Sequence, residues 1–451
     1  MGTIKNMSTN HLSLAELRQA IEAKTAKLAV IGMGYVGLPV AAMFAKAGFQ
    51  TTGVDIDAAR VDMINRGENP IKGVEPGLDE LIAEVRGKLV CTTDYAALRE
   101  ADFITISVQT PVEQSDHRPR YAHLKAALQA LGAVLKPGAV VVVESTLAPG
   151  TAQRLVIPTL EEAGGGKAGV HFWVGHCPER VMPGKLLWNI ANLDRVVGGQ
   201  TPEVAEVMVA LYRHVVAGAL DPTDLLTAEL VKTTENAYRD VQIAFANEIA
   251  RICEALGGDV WKVRALVNRS PGRSMHYPGA GVGGHCITKD SWLLIANVPE
   301  SVAPTLLPTA RRVNRAMPGH VADLTEAVLS DRGVAVGDAS VAVLGYAYRE
   351  NTDDTRDTPS QAYIDIMRAK GAELRIHDPF VPPYQSDLDT VLRGADAAVI
   401  LVAHDLYCQK DWGGALKLMR TPALVDARHV LPDGFAVDGA AVRVLGLGAV
   451  E

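Results

Sequence analysis

Apolar positions along the chain follow two recurring patterns: short unbroken runs, and longer stretches with apolar residues every third or fourth place. Between residues 12 and 24, Leu12, Leu14, Leu17 and Ile21 follow the second pattern and predict a short amphipathic lead-in helix. Leu28-Ala-Val-Ile31 then runs straight into glycines, a helical stretch continues to Ala47, and Thr51-Thr-Gly-Val-Asp55 starts a new run. Strand, tight turn, helix and strand make one βαβ unit. Further strand-like runs fall at Phe103 to Val108 and Ala139 to Val143, and a break at Gly164-Gly-Gly166 precedes another at His171 to Val174. Strands alternating with helices in this way predict a parallel sheet covered on both faces.

The pattern changes at Asp224. From there to Leu256 the chain has neither proline nor glycine and keeps its apolar residues at helical period. That predicts one long helix, longer than a routine packing element, linking two domains and lining the cleft between them. At Ser340-Val-Ala-Val-Leu-Gly345 the strand-then-glycine start recurs, followed by strand candidates at Glu373 to His377, Ala397 to Val402 and Ala423 to Val425. The predicted fold is α/β: two Rossmann-like parallel-sheet domains joined by a long central helix and a helical region. The expected bounds are an N-terminal extension over 1–25, a first α/β domain over 26–222, a helical centre over 223–330 and a second α/β domain over 331–451.

Length and composition agree with several domains, since 451 residues exceed one ordinary core. The 44 Lys and Arg against 52 Asp and Glu leave a net charge of −8, which argues against a nucleic-acid or acidic-membrane partner. An anionic substrate would then need local basic groups or helix N-termini. Five cysteines (Cys91, Cys177, Cys253, Cys286 and Cys408) without a CxxC pair read as reduced thiols, not as disulfides or a zinc site, so no metal is expected. The opening stretch has no apolar core of signal-peptide length and no run is long enough to span a bilayer, so a cytoplasmic protein without membrane insertion is expected.

Three groupings carry chemistry. Gly32-Met-Gly34-Tyr35-Val36-Gly37 follows the first strand and opens a helix, with Asp55 at the end of the next strand. Glycines there allow a tight turn and close approach of the backbone to a pyrophosphate, while the helix N-terminus offers free N–H groups. Asp55 would accept from the ribose hydroxyls and repel a 2′-phosphate, favouring NAD over NADP. Arg60 can reach the adenosine end or simply be a solvated helix charge. The second grouping is Pro278-Gly279-Ala-Gly281-Val-Gly283-Gly-His-Cys286-Ile-Thr-Lys-Asp290. Its glycines can wrap a ligand, and a helix beginning near Cys286 would lower that thiol's pKa and put Asp290 on the same face. A buried cysteine beside a flexible loop is the other reading. The third is a polar stripe on the long helix, Glu229, Lys232, Thr233 and Asn236. An ammonium and an amide one turn apart suit an oxyanion, whereas a solvated face would carry the same residues without function.

Six segments, in order, resemble the UDP-glucose/GDP-mannose dehydrogenase superfamily: GMGYVGLPVA, ESTLAPGT from Glu144, CPERVMPG from Cys177, LVKTTENAYRDVQIAFANE from Leu230, PGAGVGGHCITKD, and GYAYRENTDDTRDTPS from Gly345. The likeness runs from Ala26 to about Gly446. It implies NAD binding by the first α/β domain and a UDP-sugar substrate held by the second. It further implies four-electron oxidation of the sugar's C6 hydroxyl, through a thiohemiacetal and then a thioester on Cys286. By the same likeness Lys232 and Asn236 stabilise the oxyanions, Asp290 orients or deprotonates the attacking water, and Glu179 lies near the reacting end of the sugar. Thr110 would hold water near the nicotinamide, and Thr146 would line the cofactor. Arg180, Arg273 and Arg349, with Gly279, Gly281 and Gly283, would meet the substrate, and Arg356 the cofactor, unless Asp353, Asp354 and Asp357 merely neutralise Arg349 and Arg356. PERVMPG together with GVGGHC most resembles enzymes acting on UDP-N-acetylhexosamines, with UDP-N-acetyl-D-mannosamine favoured. Pro183 stands where relatives acting on UDP-glucose often carry a second glutamate, which weighs against that sugar. UDP-N-acetyl-D-glucosamine or another UDP-sugar is the nearest alternative, and a two-electron 3-hydroxyacid-type dehydrogenase is the alternative of another class. A homodimer built on the long helix is also implied.

Overall fold

A computed structural model describes residues 12–448 except 72 and 74. The chain divides into two compact units, one reaching Thr234 and including Trp292–Glu300, the other made of Glu235–Ser291 and Ser301–Glu451.

In the first unit eight strands form one sheet: β1 Leu28–Ile31, β2 Thr51–Val54, β3 Leu89–Thr92, β4 Phe103–Ile106, β5 Ala139–Val143, β6 Phe172–His176, β7 Arg195–Gly199 and β8 Leu220–Asp224. Their order is β3-β2-β1-β4-β5-β6-β7-β8. Strands β1 to β6 are parallel, as the alternation of strands and helices predicts, but β6 meets β7 antiparallel and β8 then follows β7 in parallel. Successive residues of β1 serve opposite faces: Leu28 and Val30 enter one apolar cluster, Ala29 and Ile31 the other. This two-sided burial is why the strands read as unbroken apolar runs.

The lead-in helix spans Leu14–Glu22 and starts with a capping box in which Ser13 and Glu16 satisfy each other's backbone N–H groups. Leu17 and Ile21 are buried in the same cluster as Leu211 of the helix Pro202–Tyr212, so this segment belongs to the first unit's core. Residues 1–11 of the expected extension lie outside the described residues.

The long helix covers Leu225–Leu256, within one residue of the expected start and at the expected end. At 1.5 Å per residue its 32 residues span about 48 Å. Asp224 caps its start by accepting from the Thr227 N–H at 2.9 Å, and Gly257-Gly258 ends it.

In the second unit β9 Ser340–Leu344, β10 Glu373–His377, β11 Ala397–Ile400, β12 Ala423–Asp426 and β13 Ala441–Val444 form a fully parallel sheet in the order β10-β9-β11-β12-β13. Val341 and Val343 pack on one face, Ala342 and Leu344 on the other. Among the described residues no helix is long and apolar enough to cross a membrane.

Candidate active site

The glycine turn and Asp55 lie at the ends of the parallel strands β1 and β2 of the first sheet. Gly32 follows β1 with φ +92°, a conformation that L side chains rarely adopt. A Cβ on Gly37 would stand 1.9 Å from the Gly32 carbonyl oxygen, whereas one on Gly34 would meet nothing within 4 Å. The turn is therefore closed tightly on its inner side and open over Gly34. The helix Gly37–Ala47 begins there with no side-chain cap; Leu38 N–H bonds the Gly34 carbonyl at 3.1 Å and Pro39 has no N–H, so what the helix start offers an anion is mainly the positive end of its dipole. These features fit a dinucleotide's pyrophosphate.

Asp55 sits at the end of β2 and is buried. Its Oδ2 accepts from Met33 N–H at 2.8 Å and its Oδ1 from Asp57 N–H at 2.9 Å, so the carboxylate ties the glycine turn to the next strand. Arg60 bonds Asp55 Oδ2 at 3.0 Å and is about one-third exposed, which makes it the solvent-side neighbour of that carboxylate. Tyr35 donates to Glu75, and Glu75 also accepts the N–H groups of Gly184 and Leu186. Beyond β4 and β5, the buried Thr110 donates to the Thr146 carbonyl at 2.8 Å, joining the two segments expected to line the cofactor.

The polar stripe on the long helix is buried at Glu229, Lys232 and Thr233, so it is not a solvated face there. Its members divide by task. Glu229 accepts from Gly150 N–H at 2.5 Å and Ala152 N–H at 2.7 Å, holding the loop after β5, and burial pushes its carboxyl up to about 7. Thr233 spends its hydroxyl on the Glu229 carbonyl one turn back, at 2.8 Å. No hydrogen bond or ion pair ties down Lys232 among the described residues, and its field is felt by Glu179 and His176. Glu179 is buried and ion-paired with Arg195 of β7, a residue that no motif signals. Burial raises the Glu179 carboxyl, opposed by the charges of Arg195, Lys232 and Arg180. His176 is fully buried, its Nδ1 2.8 Å from the Val143 carbonyl, and burial followed by Lys232 holds it down to about 4. It is therefore neutral. Arg180 is half-buried and donates to the Asp194 carbonyl.

The second unit builds the cysteine loop. Cys286 is exposed and immediately precedes the helix Ile287–Ile295, which removes the reading of an inert buried thiol. The Asp290 N–H bonds the Cys286 carbonyl at 2.9 Å, placing both residues in one helical turn. Asp290 is fully buried, with Asn236 donating to its Oδ2 at 2.6 Å and Lys289 paired with its Oδ1 at 3.1 Å. Lys289 drew no expectation from sequence, because its neighbour in space is also its neighbour in the chain. Gly281 has φ +130°, and Cβ atoms on Gly283 and Gly284 would come within 3.0 Å of Tyr348. The loop is pinned at both ends, by Gly279 N–H to Asn247 Oδ1 and by Gly284 N–H to the Arg356 carbonyl, each 2.9 Å.

The expected arginines differ in their setting. Arg356 forks onto Asp354 at 2.5 Å, as the neutralised-loop reading requires, while its carbonyl holds Gly284. Arg349 is half-buried on the same segment. Arg273 lies exposed and donates to the Pro271 carbonyl at 2.9 Å.

Known proteins match the chain in three successive stretches. Residues 26–216 match the NAD binding domain of the UDP-glucose/GDP-mannose dehydrogenase family, 226–316 its central domain and 342–433 its UDP binding domain. A UDP-N-acetyl-D-mannosamine dehydrogenase from Pyrococcus horikoshii is 38% identical over 92% of this chain and 98% of its own length. The solved UDP-D-ManNAc dehydrogenase of that organism superposes with TM-score 0.88, covering 94% of this chain and 100% of the other, at 38% identity. An NDP-N-acetyl-D-galactosaminuronic acid dehydrogenase from Methanosarcina mazei is also 38% identical, with TM-score 0.86 over 97% of this chain and 98% of the other.

Proposed function

The chain belongs to the UDP-glucose/GDP-mannose dehydrogenase family, an NAD-dependent class, and from that premise we propose that it oxidises C6 of a UDP-N-acetylhexosamine to the carboxylate. The observation that carries the four-electron course is the exposed Cys286 at a helix start, on a loop too tightly packed for side chains. UDP-N-acetyl-D-mannosamine is the favoured sugar, since the Pyrococcus relative is named for it. The Methanosarcina structure, equally identical but named for a galactosaminuronic acid, supports only the broader N-acetylhexosamine class.

When bound at the glycine turn and Asp55, NAD supplies the hydride acceptor, one equivalent in each of two rounds. The protein's residues do the rest. In the first round C6 loses a hydride and its hydroxyl a proton, leaving an aldehyde. The Cys286 thiolate adds to that carbon, so no free aldehyde escapes. Lys232 and Asn236 stabilise the alkoxide and the tetrahedral oxyanions. Loss of the second hydride leaves a thioester, and water, oriented by Asp290, releases the carboxylate and the thiolate. Glu179 lies at the reacting end of the sugar, Thr110 holds water by the nicotinamide, and Thr146, Arg60 and Arg356 flank the cofactor. Arg180, Arg273, Arg349 and the loop glycines meet the substrate. The proposed domains keep the bounds 26–222 for NAD, 223–330 for the cysteine loop and 331–451 for the UDP end.

The decisive experiment measures NADH formed per sugar consumed at completion, with UDP-N-acetylmannosamine, UDP-N-acetylglucosamine and UDP-glucose in parallel. Two NADH from the manno sugar alone is the expected result. One NADH per sugar would rule out the thioester course, and turnover of UDP-glucose alone would overturn the sugar.

A cytoplasmic homodimer completes the proposal. On the long helix beyond Thr234, Tyr238, Phe245 and Ile252 recur at seven-residue spacing and are 62%, 55% and 45% exposed, and Leu256 one turn on is 80% exposed. An apolar stripe of that length on a charged protein is suited to burial against a second copy. Light scattering of the full chain should give twice the 48.0 kDa chain mass. A monomeric mass would refute it.

A further inference from the structure

Beneath Glu179 lies a group of buried polar side chains that the proposed reaction does not use. Glu144, at the end of β5, is 3% exposed and accepts from Ser107 Oγ at 2.8 Å and from Tyr212 OH at 2.7 Å. The guanidinium of Arg195 stands over the Tyr212 ring, 5.3 Å from its centroid, and pairs with Glu179. Arg195 is itself 2% exposed and donates to the Ile190 carbonyl at 2.8 Å. Ser107 also belongs to the cofactor turn, because its carbonyl is what a Cβ on Gly32 would strike. One buried carboxyl thus connects the glycine turn with the loop that carries Glu179.

We propose that Glu144 is a positioning residue for this oxidation, acting through Tyr212 and Arg195 to set the charge carried by Glu179. The proposal rests on the reading of Glu179 as a group at the reacting end of the sugar, active when ionised. Its physical basis is two buried carboxyls in the field of one guanidinium, which pairs with Glu179 and reaches Glu144 only across Tyr212, so that ionising either carboxyl disfavours ionising the other. The remaining groups facing the pair are Cys177, Tyr212, His176, Lys232 and Arg180. Burial pushes the Cys177 thiol up to about 12 and the Tyr212 phenol far above its ordinary range, and it holds His176 down, so all three stay uncharged. Lys232 and Arg180 add positive charge on the Glu179 side. Glu144 is raised first by burial and then by Glu179, with Arg195, Tyr212 and Ser107 opposing. Charge on Glu144 therefore pulls Glu179 towards protonation, charge on Glu179 does the same to Glu144, and the two lose their protons as one coupled pair.

The sign of the effect is testable. Glu144→Gln keeps the volume and one of the two accepted hydrogen bonds, reverses the other so that the amide donates to a hydroxyl oxygen, and removes the competing charge. Glu179 then ionises more easily, and the acid limb of kcat/KM should move to lower pH by about one unit. A uniform loss of rate with the limb unmoved would overturn the proposal, because a purely structural role lowers activity without moving a limb. A second arm needs neither turnover nor that variant. In infrared titrations of the substrate-free enzyme, the carbonyl band of protonated Glu144 should disappear at lower pH in Glu179→Gln than in the wild type. An unmoved band would refute the coupling even if Glu144→Gln failed to fold. Wild-type enzyme inert towards every UDP-sugar would count against the reaction, and the infrared arm alone would then decide the coupling.

Discussion

Cys286→Ser should lower steady-state NADH production by about 10³-fold or more and leave at most one NADH per sugar. The serine hydroxyl is scarcely ionised near neutral pH, so it cannot trap the aldehyde as the thiolate does. In the proposed course the first hydride is lost before any bond to residue 286 forms, so that step should survive, and a single turnover should release aldehyde that a hydrazine reagent captures. The fold should be untouched, because the side chain is exposed and the loop is fixed instead by Asn247, Arg356 and Tyr348. Serine and cysteine differ by one atom at a surface position, so thermal unfolding should match the wild type. Retention of two NADH per sugar would remove Cys286 from the mechanism and favour a two-electron enzyme of the 3-hydroxyacid type.

How far the sequence could be read depended on the range of the interaction concerned. The glycine turn, Asp55 and the long helix are local features, set by spacing and by the absence of proline and glycine, and they lie where the pattern puts them. Strand β8, Leu-Asp-Pro-Thr-Asp, gave no pattern to read: it is an edge strand whose middle residues are exposed, so burial imposed no periodicity on it. The antiparallel β6/β7 junction was equally invisible, since direction depends on how the connection packs and not on strand composition. The charge network around Glu179 was hidden for a different reason. Arg195, Glu144 and Tyr212 come from two strands and a helix, and each alone reads as an ordinary charged or aromatic residue. The polar stripe shows the converse, because its spacing was legible while its division of labour was not. Glu229 and Thr233 serve the backbone, and Asn236 donates to Asp290.

Lys232→Ala should lower kcat by about 10²–10³-fold, the usual cost of removing one group that stabilises an oxyanion in a dry site. The loss should fall on kcat more than on KM, because the charge it meets develops in the transition state and not in the bound sugar. A second consequence follows from Glu179. Lys232 is one of the cations that oppose the burial of that carboxyl, so removing it raises the Glu179 pKa further. The acid limb of the residual activity should therefore move to higher pH, opposite in sign to Glu144→Gln. Lys232→Arg separates the two effects: it keeps the charge, so the limb should stay near its wild-type position, while a planar guanidinium cannot reproduce the compact ammonium against a tetrahedral oxyanion and kcat should remain low. The two shifts must differ in sign because one variant removes an anion and the other a cation from the surroundings of the same carboxyl. If Lys232→Ala and Glu144→Gln moved the limb in the same direction, Glu179 would not be the group that titrates. If Lys232→Ala retained more than a tenth of wild-type kcat, the oxyanion would have to be held by other donors, with Asn236 first among them.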